Sequence, residues 1–223
     1  MKKKILVIAA HADDEALGCG GVMARHAAEG CQVHTIFLAD GVISRKNANL
    51  QNVQTRQKAA KSAMKILGVS SFHFLGFPDN QMDRIPQLEI VQKIEGIIKT
   101  IKPNIIYTHF HGDLNIDHKI THQAVMTVFR PQPTQSAKEI YGFEVLSSTD
   151  WNTPQYEPFL PTHFANIEKY LRKKLKALGA YQKEMRPSPH SRSKKHVEYL
   201  ARHRGHCMGL KAAEAFVVYR QIR

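Results

Sequence analysis

The first 130 residues alternate between strand-like and helix-like segments, beginning with the apolar run Ile5–Ala10. A short run that is apolar at every position is typical of a parallel strand buried on both faces. The alternation predicts right-handed strand–helix–strand units, and therefore an α/β fold with a doubly wound, mainly parallel sheet and helices on both faces. The other predicted elements are strands at Val33–Ala39, Phe72–Phe77 and Asn104–Thr108, helices at Ala16–Glu29 and Asn52–Leu67, and a helix that begins near Pro86.

Beyond Arg130 the alternation weakens and prolines become frequent. The elements expected there are a strand at Glu139–Val145, a helix at Asn166–Lys183, a last helix, and a strand at Ala215–Tyr219. The segment Arg186–Arg192 contains two prolines, which oppose helix formation, so it should be irregular. A chain of 223 residues is long enough for one full domain and short for two. We therefore predict one domain, residues 1–223, with an embellished C-terminal third.

The chain is strongly basic, with 32 lysines and arginines, 19 aspartates and glutamates, and a formal net charge of +13. Such a charge first suggests nucleic-acid binding. The excess is local, because residues 1–168 contain 17 basic and 16 acidic residues, whereas residues 169–223 contain 15 and 3. No zinc-finger, basic-zipper or RNA-recognition motif accompanies it, so no nucleic-acid partner is expected. The basic segment is either a solvated surface or a rim, including Arg192, Lys194 and Lys195, that steers an anionic substrate.

Three cysteines, Cys19, Cys31 and Cys207, are scattered through the chain without a C-x-x-C pair. This usage suggests neither a disulfide framework nor a thiolate zinc site, and it fits a reducing compartment. The first apolar run stops at His11, too early for a signal peptide, and no run approaches the roughly 18 apolar residues of a membrane span. The sequence predicts a soluble, cytoplasmic protein without a transmembrane segment.

Side chains that bind metals or transfer protons follow every predicted strand of the first half. They are His11–Glu15 after the first strand, Asp40 after the second, Asp79 after the third and His109–Asp113 after the fourth. Because ligands of open α/β sheets bind at the carboxyl ends of the strands, we expect these side chains to converge on one crevice. The glycines at 18, 20 and 21 lack dinucleotide-binding spacing, and the carboxylates before them would repel a pyrophosphate.

The loop after the first strand offers one imidazole, His11, and one carboxylate, Asp14. With a third ligand, for which the pair Asp117-His118 is the candidate source, they would form a mixed nitrogen and oxygen site that keeps a position for water, as catalytic zinc sites do. Asp13 lies between the first two ligands in sequence and is the candidate to accept a proton from that water. The alternatives are that the acids only cap a helix, although capping needs one acid and not three, and that His118 is a structural histidine.

Two motifs carry a family resemblance. Ala10–Glu15 reads AHADDE and is followed by glycines at 18, 20 and 21, and Asp113–His118 reads DLNIDH. With Phe74–Asn80, Pro189–Ser193 and Ala213–Phe216, they resemble the bacterial type of the PIG-L/LmbE-like zinc-dependent N-deacetylases. The signatures of that family are AHPDDE…GG and a second motif that ends in DH. The resemblance spans nearly the whole chain and implies a Rossmann-like fold.

The resemblance implies zinc ligands at His11, Asp14 and His118, with Asp13 as general base. Iron(II) is an alternative metal, because imidazole and carboxylate ligands accept both ions. The resemblance also implies that Asp117 supports the ligands or relays charge. Two positions depart from the family pattern: Ala12 replaces a frequent proline, and Asn115 stands where several relatives carry histidine. Asparagine can donate a hydrogen bond to a developing oxyanion but cannot deliver a proton, so we expect Asn115 to act as that donor.

Four further residues are candidates for substrate binding. Arg56 and Asp79 resemble family positions that hold sugar hydroxyls or an attached group, and His190 and Arg192 are expected at the rim of the site. The alternatives are a solvated helix face for Arg56, a turn-forming role for Asp79, and ordinary surface positions for His190 and Arg192.

The function that the resemblance implies is removal of an N-acetyl group from an N-acetylglucosamine-type sugar or sugar conjugate by metal-activated water, with Asp13 as general base. The sugar is free, nucleotide-linked or lipid-linked, neutral or anionic, and the reaction would belong to glycan or surface polysaccharide biosynthesis. A zinc amidase that acts on another amide, such as a thiol–sugar conjugate, is the nearer alternative, and a basic nucleic-acid-binding protein is the distant one. Relatives in the family are often oligomers, so a homo-oligomer is also expected.

Overall fold

Seven strands form one sheet within residues 2–153 and 157–222, the parts of the chain that the computed structural model describes. The strands are β1 (Lys4–Ala9), β2 (Gln32–Ala39), β3 (Ser71–Phe77), β4 (Ile105–His109), β5 (Glu139–Phe143), β6 (His163–Asn166) and β7 (Ala213–Gln221). They lie in the order β3-β2-β1-β4-β5-β7-β6. Strands β1 to β5 pair in parallel, and β7 runs antiparallel to both β5 and β6. The predicted α/β fold with a mainly parallel sheet is confirmed.

Helices cover both faces of the sheet. They are α1 (Asp14–Ala28), α2 (Leu50–Leu67), α3 (Gln87–Ile101), α4 (Ile116–Val128), α5 (Leu171–Leu178) and α6 (Lys194–His206). Buried side chains of α1, α2, α5 and α6 form one hydrophobic core with the sheet, and those of α3 and α4 form a second core on the opposite face. No helix of the described residues is long and apolar enough to cross a membrane.

Strand β1 is buried on both faces, as its uninterrupted apolar sequence predicts. Ile5 and Val7 point into the core below α1 and α2, whereas Leu6 and Ile8 point into the core below α3 and α4. β1 pairs with β2 on one side and with β4 on the other. The connections from β1 therefore leave towards opposite edges of the sheet, and a crevice opens at its carboxyl end.

Helix α1 begins two residues earlier than predicted and is interrupted at Cys19, whose φ of −140° is not helical. The carboxylate of Glu214, on β7, accepts hydrogen bonds from the backbone N–H groups of Gly21 and Val22 just beyond the interruption. The buried Lys174 ammonium, on α5, pairs with Glu214 at 2.6 Å and also donates to the Leu17 carbonyl. A buried ion pair thus joins the end of the chain to its first helix.

The predicted helix Asn166–Lys183 is wrong at both ends. Asn166 belongs to β6, where it pairs with Ala213 of β7, and the helix α5 extends only from Leu171 to Leu178. At the N-terminal end the physical reason is the pairing of β6, which supplies backbone hydrogen bonds that no local periodicity indicates; at the other end the helix stops before Gly179. The segment Arg186–Arg192 contains neither helix nor strand, as predicted.

Replacing Gly21 by alanine should destabilise the protein. A Cβ at this position would lie 2.8 Å from two side-chain atoms of Ile167, closer than carbon atoms pack. The expected loss is about 1–3 kcal/mol in the free energy of unfolding, measured by urea denaturation.

Gly96→Ala is the matched control, because Gly96 is an exposed helical glycine with open space around its Cα. It should leave stability unchanged or raise it by up to about 1 kcal/mol, since alanine favours a helix. Equal effects of the two substitutions would contradict the close packing of α1 against Ile167.

Candidate metal centre and active site

The loop between β1 and α1 folds back on its own carboxylates. The N–H of His11 donates to Asp14 Oδ2 at 2.9 Å, and the N–H of Asp13 donates to Glu15 Oε2 at 2.9 Å. Asp13 has a φ of 140°, a strained conformation for a residue with a side chain. In this strained loop the side chains of Asp13 and Asp14 are both fully buried.

Three candidate metal ligands converge at the carboxyl ends of β1 and β4. Asp14 Oδ2 lies 3.3 Å from His11 Nδ1 and 3.2 Å from His118 Nε2. All three side chains are buried. Their donor atoms lie within 4.8 Å of one another, as the ligands of one ion would. The structure thus brings together the imidazole, carboxylate and imidazole that the two sequence motifs predict.

The other oxygen of Asp14 supports a fit to a metal ion. Asp14 Oδ1 is buried and has no hydrogen-bond partner among the described residues. A buried polar atom without a partner costs free energy, so it needs an explanation. A divalent cation between Asp14, His11 and His118 would satisfy this oxygen, and two imidazoles with one carboxylate are a ligand set that catalytic zinc sites use.

Two carboxylates hold His11 from its other side. His11 Nε2 lies 3.0 Å from Asp117 Oδ2 and 3.2 Å from Asp79 Oδ1. Asp117 also accepts the backbone N–H groups of Asn80 and Met82. Burial lowers the pKa of His11, but Asp117, Asp14 and Asp79 outweigh it and raise the pKa well above its usual value. His11 and Ser44 lower the pKa of Asp79 to about 2 against the opposing effect of burial. Asp117 and Asp79 therefore orient the imidazole.

Asp113 orients the second histidine in the same way. Asp113 Oδ1 lies 3.1 Å from His118 Nδ1, and Asp113 also accepts the hydroxyls of Ser148 and Thr149. Burial opposes protonation of His118, but Asp14 and Asp113 raise its pKa to about 9. His109, at the end of β4, stacks on His118 with ring centroids 3.9 Å apart and accepts the N–H of Ala10. Such carboxylate–histidine pairs fix the direction of metal-binding imidazoles.

Asp13 is held between two arginines from distant parts of the chain. Arg56 Nη2 lies 2.8 Å from Asp13 Oδ1, and Arg192 Nη1 lies 2.8 Å from Oδ2. Arg56 also donates to the carbonyls of Ala12 and Gly41. A Cβ on Gly41 would lie 2.9 Å from the Arg56 guanidinium carbon, so the turn after β2 requires glycine there. Burial raises the pKa of Asp13, and both arginines oppose this shift.

Asn115 is the N-terminal cap of α4, and its side-chain oxygen accepts the N–H groups of Asp117 and His118. Its amide nitrogen donates to Asn80 Oδ1 at 3.0 Å. Asn115 therefore lies beside the candidate ligands, and one of its N–H groups is already engaged.

The loop Arg186–Arg192 brings Arg192 to the site. His190 Nδ1 accepts the backbone N–H of Arg192, and its ring packs against Trp151. Arg192 Nε donates to Ser147 Oγ at 2.6 Å. His190 therefore supports the loop that carries Arg192.

Two of the polar residues that follow predicted strands lie elsewhere. Asp40 accepts the N–H groups of Val42 and Ile43 and so closes a turn. His111 Nδ1 pairs with the hydroxyl of Tyr219. The predicted convergence therefore holds for the other residues after β1, β3 and β4. It does not hold for Asp40, after β2, or for His111, after β4.

Sequence reasoning missed several residues that support the site. Ser148 and Thr149 bind Asp113, and Tyr181 donates to Glu15 Oε1 at 2.7 Å. Burial raises the pKa of Glu15 to about 8. Glu184 pairs with Arg45 and lies 3.5 Å from Arg56. One signal existed, because Glu184 is one of only three acidic residues in the last 55.

The chain is similar in sequence to known proteins. The sequence model of one family, described as PIG-L, GlcNAc-PI de-N-acetylase, matches residues 6–129. The chain is 32% identical over 187 residues to the uncharacterized deacetylase YaiS of Escherichia coli strain K12, which covers 81% of this chain and 91% of that protein. It is 27% identical over 192 residues to a Bacillus cereus protein named probable N-acetyl-alpha-D-glucosaminyl L-malate deacetylase 2, covering 82% and 84%.

The fold is similar to that of solved structures. The conserved protein TT1542 from Thermus thermophilus superposes with a TM-score of 0.79 at 24% identity, covering 98% of this chain and 96% of that one. This similarity includes the C-terminal third, which lies outside the residues that the family model matches.

Asp113→Asn should weaken metal binding by about 10- to 100-fold, because the amide lacks the charge that orients His118 and raises its basicity. Competition between the protein and a chromophoric chelator for Zn²⁺ measures the affinity.

Asp83→Asn removes an exposed carboxylate from the short 3-10 helix Met82–Arg84 and is the control. Equal Zn²⁺ affinities for both variants and the wild type would show that Asp113 does not support the metal ligand.

Proposed function

Because the chain belongs to the PIG-L family of N-deacetylases, we propose that it is a metal-dependent hydrolase of N-acetylglucosamine-type sugars or sugar conjugates. Several relatives have names that state an N-acetylglucosaminyl substrate, such as the Bacillus cereus protein named probable N-acetyl-alpha-D-glucosaminyl L-malate deacetylase 2. The observation that carries the proposal is the buried cluster of His11, Asp14 and His118, in which Asp14 Oδ2 contacts both imidazoles and Asp14 Oδ1 has no hydrogen-bond partner among the described residues.

His11, Asp14 and His118 are the proposed ligands, and zinc is the proposed metal, with iron(II) as the alternative because the same ligand types accept both. When bound there, zinc would polarise the amide carbonyl and lower the pKa of a water molecule towards 7. The chain's own part is to keep both imidazoles aimed at Asp14, through Asp117 and Asp79 on His11 and through Asp113 on His118.

Asp13 is the proposed general base. Its two oxygens differ, because Oδ1 faces the buried Arg56, whereas Oδ2 faces Arg192, which is partly exposed. We assign the proton transfer to Oδ2: when the substrate takes over the Arg192 guanidinium, Oδ2 becomes free to accept a proton from the attacking water. The same oxygen can then deliver the proton to the departing amine. Arg56 keeps the carboxylate in place throughout.

Asn115 is the proposed donor to the oxyanion. Its amide group has two N–H bonds, and one of them donates to Asn80. The second would bind the carbonyl oxygen as negative charge develops on it. Since the Asn115 oxygen caps α4, the helix fixes the direction of the amide.

Arg192 is the proposed contact for the sugar or its attached group, and His190 keeps the Arg192 loop in place and lines the same rim. Arg56 and Asp79 are already engaged with Asp13 and His11, so we propose that they bind substrate only in addition to this positioning role.

The free state of Cys19, Cys31 and Cys207 supports a cytoplasmic location.

The decisive experiment combines metal analysis with acetate release. Asp13→Ala should retain the metal and lose about 10²- to 10⁴-fold in kcat, the usual contribution of a general base. His118→Ala should lose both metal and activity. A panel of N-acetylated sugars, including nucleotide-linked and lipid-linked ones, identifies the substrate.

Asp83→Asn again serves as the control and should behave as the wild type does. Turnover by metal-loaded Asp13→Ala near the wild-type rate would contradict the assignment of the base. Stoichiometric metal with no acetate released from any sugar would favour an amidase that acts on a different amide.

A further inference from the structure

A cavity lies beside the candidate active site, on the side of Arg56 that faces away from Asp13. It has a volume of about 460 Å³, within the range of roughly 300–1,000 Å³ that small-molecule sites occupy. Three segments form its walls: the loop after β2, residues 52–62 of α2 and the segment 180–184 that follows α5. His11, Asp14 and His118 do not line it, so it is distinct from the candidate metal centre.

The charge of the cavity wall is strongly positive. Five cationic side chains line it, and Glu184 is its single carboxylate; the cationic residues are Arg45, Lys46, Arg56, Lys58 and Lys183. Glu184 is shared between Arg45 and Arg56. The ammonium groups of Lys46, Lys58 and Lys183 make no ion pair or hydrogen bond with the described residues. Three exposed lysines without an ion-pair partner among the described residues therefore border the cavity.

The remaining polar groups of the wall suit a polyhydroxylated ligand. Amide and hydroxyl side chains of Asn47, Asn52, Thr55, Ser62 and Gln182 line the same cavity. The hydroxyls of Thr55 and Ser62 donate to carbonyls of their own helix and Asn52 Oδ1 accepts the N–H of Asn49, so the hydroxyl oxygens keep capacity to accept and the Asn52 amide keeps its N–H donors for sugar hydroxyls. Lysine ammonium groups bind phosphate as point charges. We propose that this cavity binds a phosphate-bearing sugar, a ligand site separate from the metal centre.

The cavity is connected to the active-site loop through its inner wall. Arg56 closes the cavity and holds Asp13 on its other side, and Tyr181, also in the wall, donates to Glu15. Glu15 in turn accepts the N–H of Asp13. A phosphate beside Arg56 competes with Asp13 for the guanidinium, so occupancy of the cavity acts on the proposed base.

The test is direct binding of glucose 6-phosphate, which has no acetamide group, to the metal-loaded protein by isothermal titration calorimetry. The double variant Lys58→Ala/Lys183→Ala should bind at least about tenfold more weakly than the wild type, because two charge-assisted contacts are lost. Glucose, which lacks the phosphate, should bind far more weakly than glucose 6-phosphate.

The matched control is Lys61→Ala/Lys65→Ala. Both lysines are exposed on the same helix, α2, and neither lines the cavity, so this variant removes the same net charge elsewhere. It should retain wild-type affinity. No binding by the wild type, or equal affinities for the two double variants, would overturn the proposal; the latter result would place the phosphate at the metal or on general surface charge.

Steady-state kinetics with a neutral acetamido sugar as substrate distinguish two sources of the phosphate: the substrate itself, or a separate ligand. Competitive inhibition by glucose 6-phosphate would show that the cavity holds the phosphate of the substrate itself. A change in kcat at saturating sugar would show a separate regulatory ligand that acts through Arg56. Because binding is measured without turnover, a failure of the proposed deacetylase activity leaves the binding result independent.

Discussion

Parallel pairing of β1 with both β2 and β4 is the constraint on which the site depends. Because β2 and β4 lie on opposite sides of β1, the connections on the two sides run towards opposite edges of the sheet and leave a crevice at the carboxyl end of β1. His11 and Asp14 come from the loop after β1, and the loop after β4 leads into α4, whose first turn carries His118. The pairing register thus places residues more than 100 positions apart within contact distance.

Burial of charge is the energetic problem that this arrangement must solve. Asp13, Asp14, Glu15, Asp113 and Asp117 are all fully buried. A buried carboxylate is strongly destabilising unless partners compensate it. Arginines compensate Asp13, His11 and two backbone N–H groups compensate Asp117, and two hydroxyls with His118 compensate Asp113. Asp14 Oδ1 is the exception, because it has no hydrogen-bond partner among the described residues.

The fold class and the convergence of His11, Asp14, Asp79 and His118 could be predicted because both follow from local periodicity and from the geometry of strand ends. The partners of Asp13 could not, since Arg192 lies 179 residues away on an irregular loop. The error at Asn166 has a similar origin: apolar spacing at Ile167, Leu171 and Leu178 fits a helix, whereas pairing of β6 with β7 is a non-local interaction. Asp40 and His111 lie outside the cluster because local contacts, a turn and the Tyr219 hydroxyl, engage them.

The ion pair between Lys174 and Glu214 has a consequence for biosynthesis. Glu214 satisfies the interrupted backbone of α1, and Arg192 and Tyr181 complete the surroundings of Asp13 and Glu15. Lys174, Tyr181, Arg192 and Glu214 are all translated after the two sequence motifs that supply the candidate ligands. A nascent chain that has emerged only as far as α4 therefore carries His11, Asp14 and His118 but lacks Glu214, Arg192 and Tyr181, so the backbone of α1 and the carboxylates of Asp13 and Glu15 gain these partners only late in synthesis.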